Sequence, residues 1–74
     1  MRPSFRATIV ADITAKINSG EWPPDHRLPS QRELAKAYRC SVQPVIAALD
    51  ELETRGLIES KQGVGWFVAH HSVL

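Results

Sequence analysis

Phe5, Ile9, Ile13 and Ile17 recur every four residues with Val10 beside them, which predicts one apolar stripe on a helix from about residue 5 to 18. Those stripe residues are expected to be core, whereas Arg6, Asp12 and Lys16 lie off the stripe and are expected to face water. Ser4 can cap the start and Asn18-Ser19-Gly20 supplies the stop, with residues 1–4 a loose end. Leu34, Ala35 and Tyr38 give a shorter apolar face on a helix of about 30–38. Val45, Ala48, Leu49 and Leu52 continue the same periodicity on a third helix of about 41–55, closed by Gly56. The period then shortens. Leu57-Ile58-Glu59-Ser60 and Trp66-Phe67-Val68 read as strands on either side of the turn Lys61-Gln62-Gly63-Val64-Gly65, a hairpin of about 57–69. Ile58, Phe67 and Trp66 are expected to close the bottom of the core, and residues 70–74 form a short tail.

The punctuation between these groups is informative. Gly20-Glu21-Trp22-Pro23-Pro24-Asp25 is a rigid turn, because two prolines fix the backbone and remove two donors. Trp22 is expected to pack beneath it and Leu28 to plug inward. Pro29 ends what precedes it, and Ser30 with Glu33 makes a Ser-x-x-Glu capping box for the second helix. Only Arg39-Cys40 separates that helix from Ser41, a second N-cap. So short a join forces a steep crossing, and Ala35 lets the two helices approach. This is the layout of a helix-turn-helix, whose second helix enters the DNA major groove. The fold class is therefore mainly α with a small β-hairpin: a winged helix-turn-helix of three helices plus a two-stranded wing, one domain over 1–74.

Seventy-four residues support one small core and leave little room to bury a catalytic site. No internal disulfide can form with one cysteine, and Cys40 reads as a half-buried small residue of the turn. The chain carries no membrane-length apolar run and no signal-peptide core, so a cytoplasmic protein is expected. His26, His70, His71 and Cys40 lack zinc-ligand spacing, Gly63-Val64-Gly65 lacks the lysine of a P-loop, and Asp50, Glu51 and Glu53 read as a solvated helix end. No enzyme, metal or cofactor is expected. The net charge of +1 is uninformative, but its distribution is not. Arg27, Arg32, Lys36 and Arg39 precede the third helix and the acids crowd its far end, so that one face can meet phosphates.

Taken together, Ile17-Asn18-Ser19-Gly20-Glu21-Trp22-Pro23-Pro24, Leu28-Pro29-Ser30-Gln31-Arg32-Glu33-Leu34-Ala35, then Ser41, Val45, Ala48-Leu49, Leu52, Gly56-Leu57-Ile58 and Gly63-Val64-Gly65-Trp66-Phe67-Val68 resemble the N-terminal winged helix-turn-helix domain of the GntR family of bacterial transcription regulators. The likeness covers roughly residues 3–69. It implies that Arg32 contacts DNA and that Gly63 lets the wing backbone approach the minor groove. The sequence also departs from the family. The usual recognition run Ser-Arg-x-Thr-Val-Arg is here Ser41-Val42-Gln43-Pro44-Val45-Ile46, so both base-reading arginines are gone. Each such arginine contributes about 1–3 kcal/mol of discrimination on guanine. Gln43 can pair an adenine edge and Val42 can touch a thymine methyl, which points to an A·T-containing site. Pro44 biases Gln43 away from helical geometry, so the third helix is expected to start late. Arg39 stands where the family prefers glycine. Family members usually carry a further effector-binding, dimerising domain; the initiating Met1 leans toward a complete minimal regulator rather than an excised domain.

The expected function is a sequence-specific DNA-binding transcription regulator, a repressor, with no small-molecule effector. Phosphate contacts fall to Ser30, Arg32, Arg39, Ser41, Lys61 and Gln62, with Gly63 at the wing, and base contacts to Val42, Gln43 and Ile46. One such module buries only about 600–1,000 Å² on double-stranded DNA. A homodimer on a palindrome is therefore expected. The alternative is a protein-interaction module that uses Val42 and Ile46 as an exposed apolar face.

Overall fold

The computed structural model describes residues 4–69. Most of the expected loose start (1–3) and the tail (70–74) lie outside the described residues. Five elements follow in order: α1 Phe5–Asn18, α2 Gln31–Tyr38, α3 Val42–Thr54, β1 Ile58–Lys61 and β2 Gly65–Val68. α1 and α2 both pack on α3, and β1 also rests against it. The core is built from Ile9, Val10 and Ile13 of α1, Leu34 and Ala35 of α2, Val45, Ala48, Leu49 and Leu52 of α3, Leu28, and Ile58 and Val68 of the hairpin. Each large aliphatic side chain withdrawn this far from water contributes about 1.5–3 kcal/mol. Phe5 departs from its expected place: it is the first residue of α1 and is 49% exposed.

Local chemistry explains the helix ends. Ser4 Oγ accepts the Ala7 N–H at 3.0 Å, capping α1. α2 opens on a complete capping box: Ser30 Oγ accepts the Glu33 N–H at 3.1 Å, and the Ser30 N–H donates to Glu33 Oε1 at 2.9 Å. α2 ends at Arg39, whose φ of 54° and ψ of 48° are left-handed. The Cys40 N–H then reaches Ala35 O at 3.0 Å and the Arg39 N–H reaches Lys36 O at 3.2 Å, the paired bonds of a Schellman turn. A non-glycine residue there costs about 1 kcal/mol. Tyr38 fastens the same end of α2 to α1 by donating to Asp12 Oδ2 at 2.8 Å.

The hairpin differs from its expected form. β1 and β2 are antiparallel with Ile58 opposite Val68 and Lys61 opposite Gly65, so only residues 62–64 form the turn. That register puts Val68, not Phe67, beside Ile58 on the core face. Phe67 pairs with Glu59 on the outer face, where Lys61 Nζ lies 4.5 Å from its ring centroid. The segment after the double proline also runs beside β2. Asp25 N–H donates to Val68 O at 3.0 Å, Val68 N–H to His26 O at 2.9 Å, and Leu28 N–H to Trp66 O at 2.8 Å, with an antiparallel bridge between Arg27 and Phe67. The wing is thereby joined to the chain entering α2. Trp22 packs against the core as expected and stacks on His26, with ring centroids 5.2 Å apart.

Candidate nucleic-acid interface

α3 begins at Val42, earlier than Pro44 led one to expect. Pro44 is the third helical residue, and the first four N–H groups of a helix have no intrahelical partner, so the missing donor breaks no helix bond. Burial of Val45 at the next position holds the turn in place. The proline has another consequence. In α1 and α2 the capping serine accepts from the N–H three residues on, but three residues after Ser41 the chain has Pro44 and no N–H. Ser41 stands at the N-cap with φ −74° and ψ 172° and makes no side-chain capping bond. Its exposed hydroxyl is left over at the positive end of α3.

The charges are sorted in a corresponding way. Arg6 and Arg55 both pair with Glu51, at 3.0 Å and 2.6 Å, and Lys16 pairs with Glu21 at 2.9 Å. Two of the three acids at the end of α3 are thus partnered, since Glu53 also accepts from Ser60 Oγ at 3.2 Å, while Asp50 is exposed to solvent as expected. Glu33, the acid nearest to Lys36 along α2, is held by the Ser30 backbone N–H and hydroxyl, with a smaller contribution from Arg27. These keep its carboxyl below the usual 4.5. Among the described residues, Arg32, Lys36 and Arg39 therefore stand with no ion pair or side-chain hydrogen bond. All three are exposed and belong to α2 and its terminating residue. Lys36, one turn after Arg32 and already part of the basic cluster expected to meet phosphates, stands beside Arg32 at i, i+4 spacing with the intervening acid committed to a cap.

The remaining candidates divide between surface and core. Gln43, Lys61, Gln62 and Gly63 are exposed. Gly63 has φ 77° at the third position of a turn closed by Val64 N–H to Lys61 O at 2.9 Å, a conformation that favours glycine. Val42 and Ile46 are half-buried, and Val42 packs against the core. They do not form the exposed apolar face that a protein-docking reading requires. Ser30 and Arg32 are brought to the wing: with Gln31, Gly65 and Trp66 they line one open groove between the start of α2 and β2. Arg27, expected to stand with the free cations, is instead bonded to the wing, its Nη2 donating to Val64 O at 3.0 Å.

Comparison with known proteins gives a consistent picture. Residues 5–68 match the family described as "Bacterial regulatory proteins, gntR family". An uncharacterized HTH-type transcriptional regulator of Bacillus subtilis, YdfD, is 44% identical over 70 residues, which is 95% of this chain and 14% of that protein. The histidine utilization repressor of Pseudomonas aeruginosa is 47% identical over 57 residues, 77% of this chain and 23% of the repressor. The chain thus spans less than a quarter of the length of these two relatives. Among solved structures, the DNA-binding domain of AraR in complex with operator ORX1 superposes with a TM-score of 0.86 at 35% identity, covering 93% of this chain and 82% of that one. No described helix is long and apolar enough to cross a membrane.

Proposed function

The chain belongs to the GntR family of bacterial regulatory proteins, and we propose that it is the DNA-reading module of a transcription regulator, a repressor, acting in the cytoplasm without enzymatic chemistry. The observation that carries this reading is the sorting of charge. Among the described residues three cations without an ion pair, Arg32, Lys36 and Arg39, stand on α2 and its end, just before the open start of α3, while Arg6, Lys16 and Arg55 are paired with acids elsewhere. Unpaired surface cations on one edge are the footprint of a phosphate backbone. Ser41, Lys61 and Gln62 add donors along that edge, whereas Ser30, expected to join them, is engaged with Glu33 in the α2 capping box, and Gly63 lets the wing backbone come close. The first turn of α3 enters the major groove. Gln43 reads an adenine edge and the accessible parts of Val42 and Ile46 meet thymine methyls, so the site is A·T-containing. The operator-bound AraR domain, of the same architecture, supports double-stranded DNA as the partner.

With no arginine on the reading face, one copy binds weakly and two copies share a palindrome with half-sites about 34–36 Å apart. The test is selection of bound duplexes from a random library, followed by gel shifts of the selected sequence at low salt. Enrichment of an A·T-containing palindrome bound by two copies is the expected result. No shift of any duplex at low salt would overturn the reading.

A further inference from the structure

The backbone ladder joining residues 25–28 to β2 stops at Trp66, the acceptor of the Leu28 N–H at 2.8 Å. Beyond Trp66 the wing tip would hang on its own hairpin bonds alone. It carries an exposed apolar residue, Val64, 51% accessible. One side chain continues the ladder. Arg27 bridges Phe67 through its backbone, then sends its guanidinium along the strand to donate from Nη2 to Val64 O at 3.0 Å. On the way it crosses Gly65: a methyl built on that glycine would lie 3.6 Å from Arg27 Nε and 3.8 Å from Nη2. Gly65 itself has φ 136°, a conformation that side-chain-bearing residues rarely adopt. Arg27 is also near enough to Glu33 to help hold down that carboxyl.

We propose that Arg27 is a positioning residue for the wing: bonded to Val64 O and laid across Gly65, it fixes the tip relative to the start of α2. The two edges that meet phosphate are then presented as one rigid surface. Arg27 is not a phosphate ligand in this arrangement, because its guanidinium is turned to the protein's own carbonyl. An exposed hydrogen bond adds little to global stability, so its loss is felt locally, at the end of the longest lever. The consequence for DNA rests on the proposed DNA-reading role; the tether does not.

The test uses Arg27→Ala and Arg27→Lys in the whole chain. In the DNA-free protein, amide order parameters for residues 63–65 are expected to fall from about 0.85 to below about 0.6 in Arg27→Ala, with the melting temperature nearly unchanged. On the selected duplex, affinity is expected to fall about 5- to 10-fold, with loss of backbone protection at the wing end and an unchanged salt dependence. A fivefold loss corresponds to about 1 kcal/mol, the scale of a single hydrogen bond. The Arg27→Lys variant keeps a cationic donor at this position and is expected to restore most of both properties. Unchanged order at 63–65 in Arg27→Ala would overturn the proposal. So would a drop of about 0.9 in the salt slope, which marks a lost phosphate contact instead. If the parent chain binds no duplex, the DNA-reading role fails, and the DNA-free order parameters still decide the tether.

Discussion

α2 and α3 both start after an extended serine, yet the two starts are built differently. At α2 the capping groups are committed to one another: Ser30 and Glu33 exchange hydrogen bonds, and Tyr38 pins the far end to Asp12. At α3 the third helical residue is Pro44, and Ser41 has no N–H to accept there. One helix start is closed on itself and rigid. The other keeps a hydroxyl and the helix's positive pole turned outward. In the proposed role, α2 is the fixed base that holds cations in place and α3 is the end left open for a ligand. Stability and binding should therefore respond to substitution in opposite ways at the two starts.

The largest expected effect is on the cations. Replacing Arg32, Lys36 and Arg39 together with Ala should lower the salt slope of DNA binding by roughly 2.7, at about 0.9 per phosphate, while the melting temperature stays nearly level. Position 39 also carries a stability term of its own. Ala is no better than Arg there, but Arg39→Gly relieves the left-handed strain by about 1 kcal/mol. Thermal melts of Arg39→Gly alone check that term.

The clamp at the far end of α2 has a pH signature. Burial first, and then the hydrogen bond and charge of Asp12, raise the Tyr38 hydroxyl from 10.0 to about 12. The fold favours the neutral phenol. Its contribution is thus complete below about pH 10 and is lost as pH rises through about 12. Tyr38 is the only tyrosine, so ultraviolet titration of the phenolate reads it directly. The expected midpoint is near 12, moving down in Asp12→Asn.

The serines give the sharpest contrast. Ser30→Ala should destabilise the fold by about 1 kcal/mol, a shift of about 4–8 °C in a domain of this size. Ser41→Ala should leave the melt almost unchanged and weaken DNA binding several-fold. Equal thermal losses at the two positions would erase the distinction between them. Smallest is Pro44→Ala: restoring the N–H should let Ser41 cap α3 and raise stability by about 0.5–1 kcal/mol, while DNA affinity falls.

How much of this is legible in the sequence depends on range. The stripe of Ile9 and Ile13, the Ser30–Glu33 box and the Gly56 stop are signals spread over one or two helical turns, and the three helices and wing are readable from them. Phe67 is misplaced by sequence reasoning because a strand's faces alternate. Only the pairing of Ile58 with Val68 decides which of two adjacent apolar residues turns inward. The late start expected for α3 fails for a similar reason. The bias that Pro44 imposes on Gln43 is local and weak, and burial of Val45 outweighs it. Of the candidate site, the cations on α2 can be picked out by spacing. That Arg27 belongs to the wing cannot, because its partner Val64 is 37 residues away and lies beside it through the pairing of the segment at 25–28 with β2. The half-burial of Val42 and Ile46 likewise depends on how the helices pack together.

The most direct measurement is an amide NMR titration of the chain with its selected duplex. Shifts concentrated at residues 30–32, 36, 39–43 and 61–64, with the outer face of α1 silent, are the expected result. Shifts centred on α1, or a silent Ser41–Gln43 turn, would contradict the claim that the open start of α3 is the end that meets DNA.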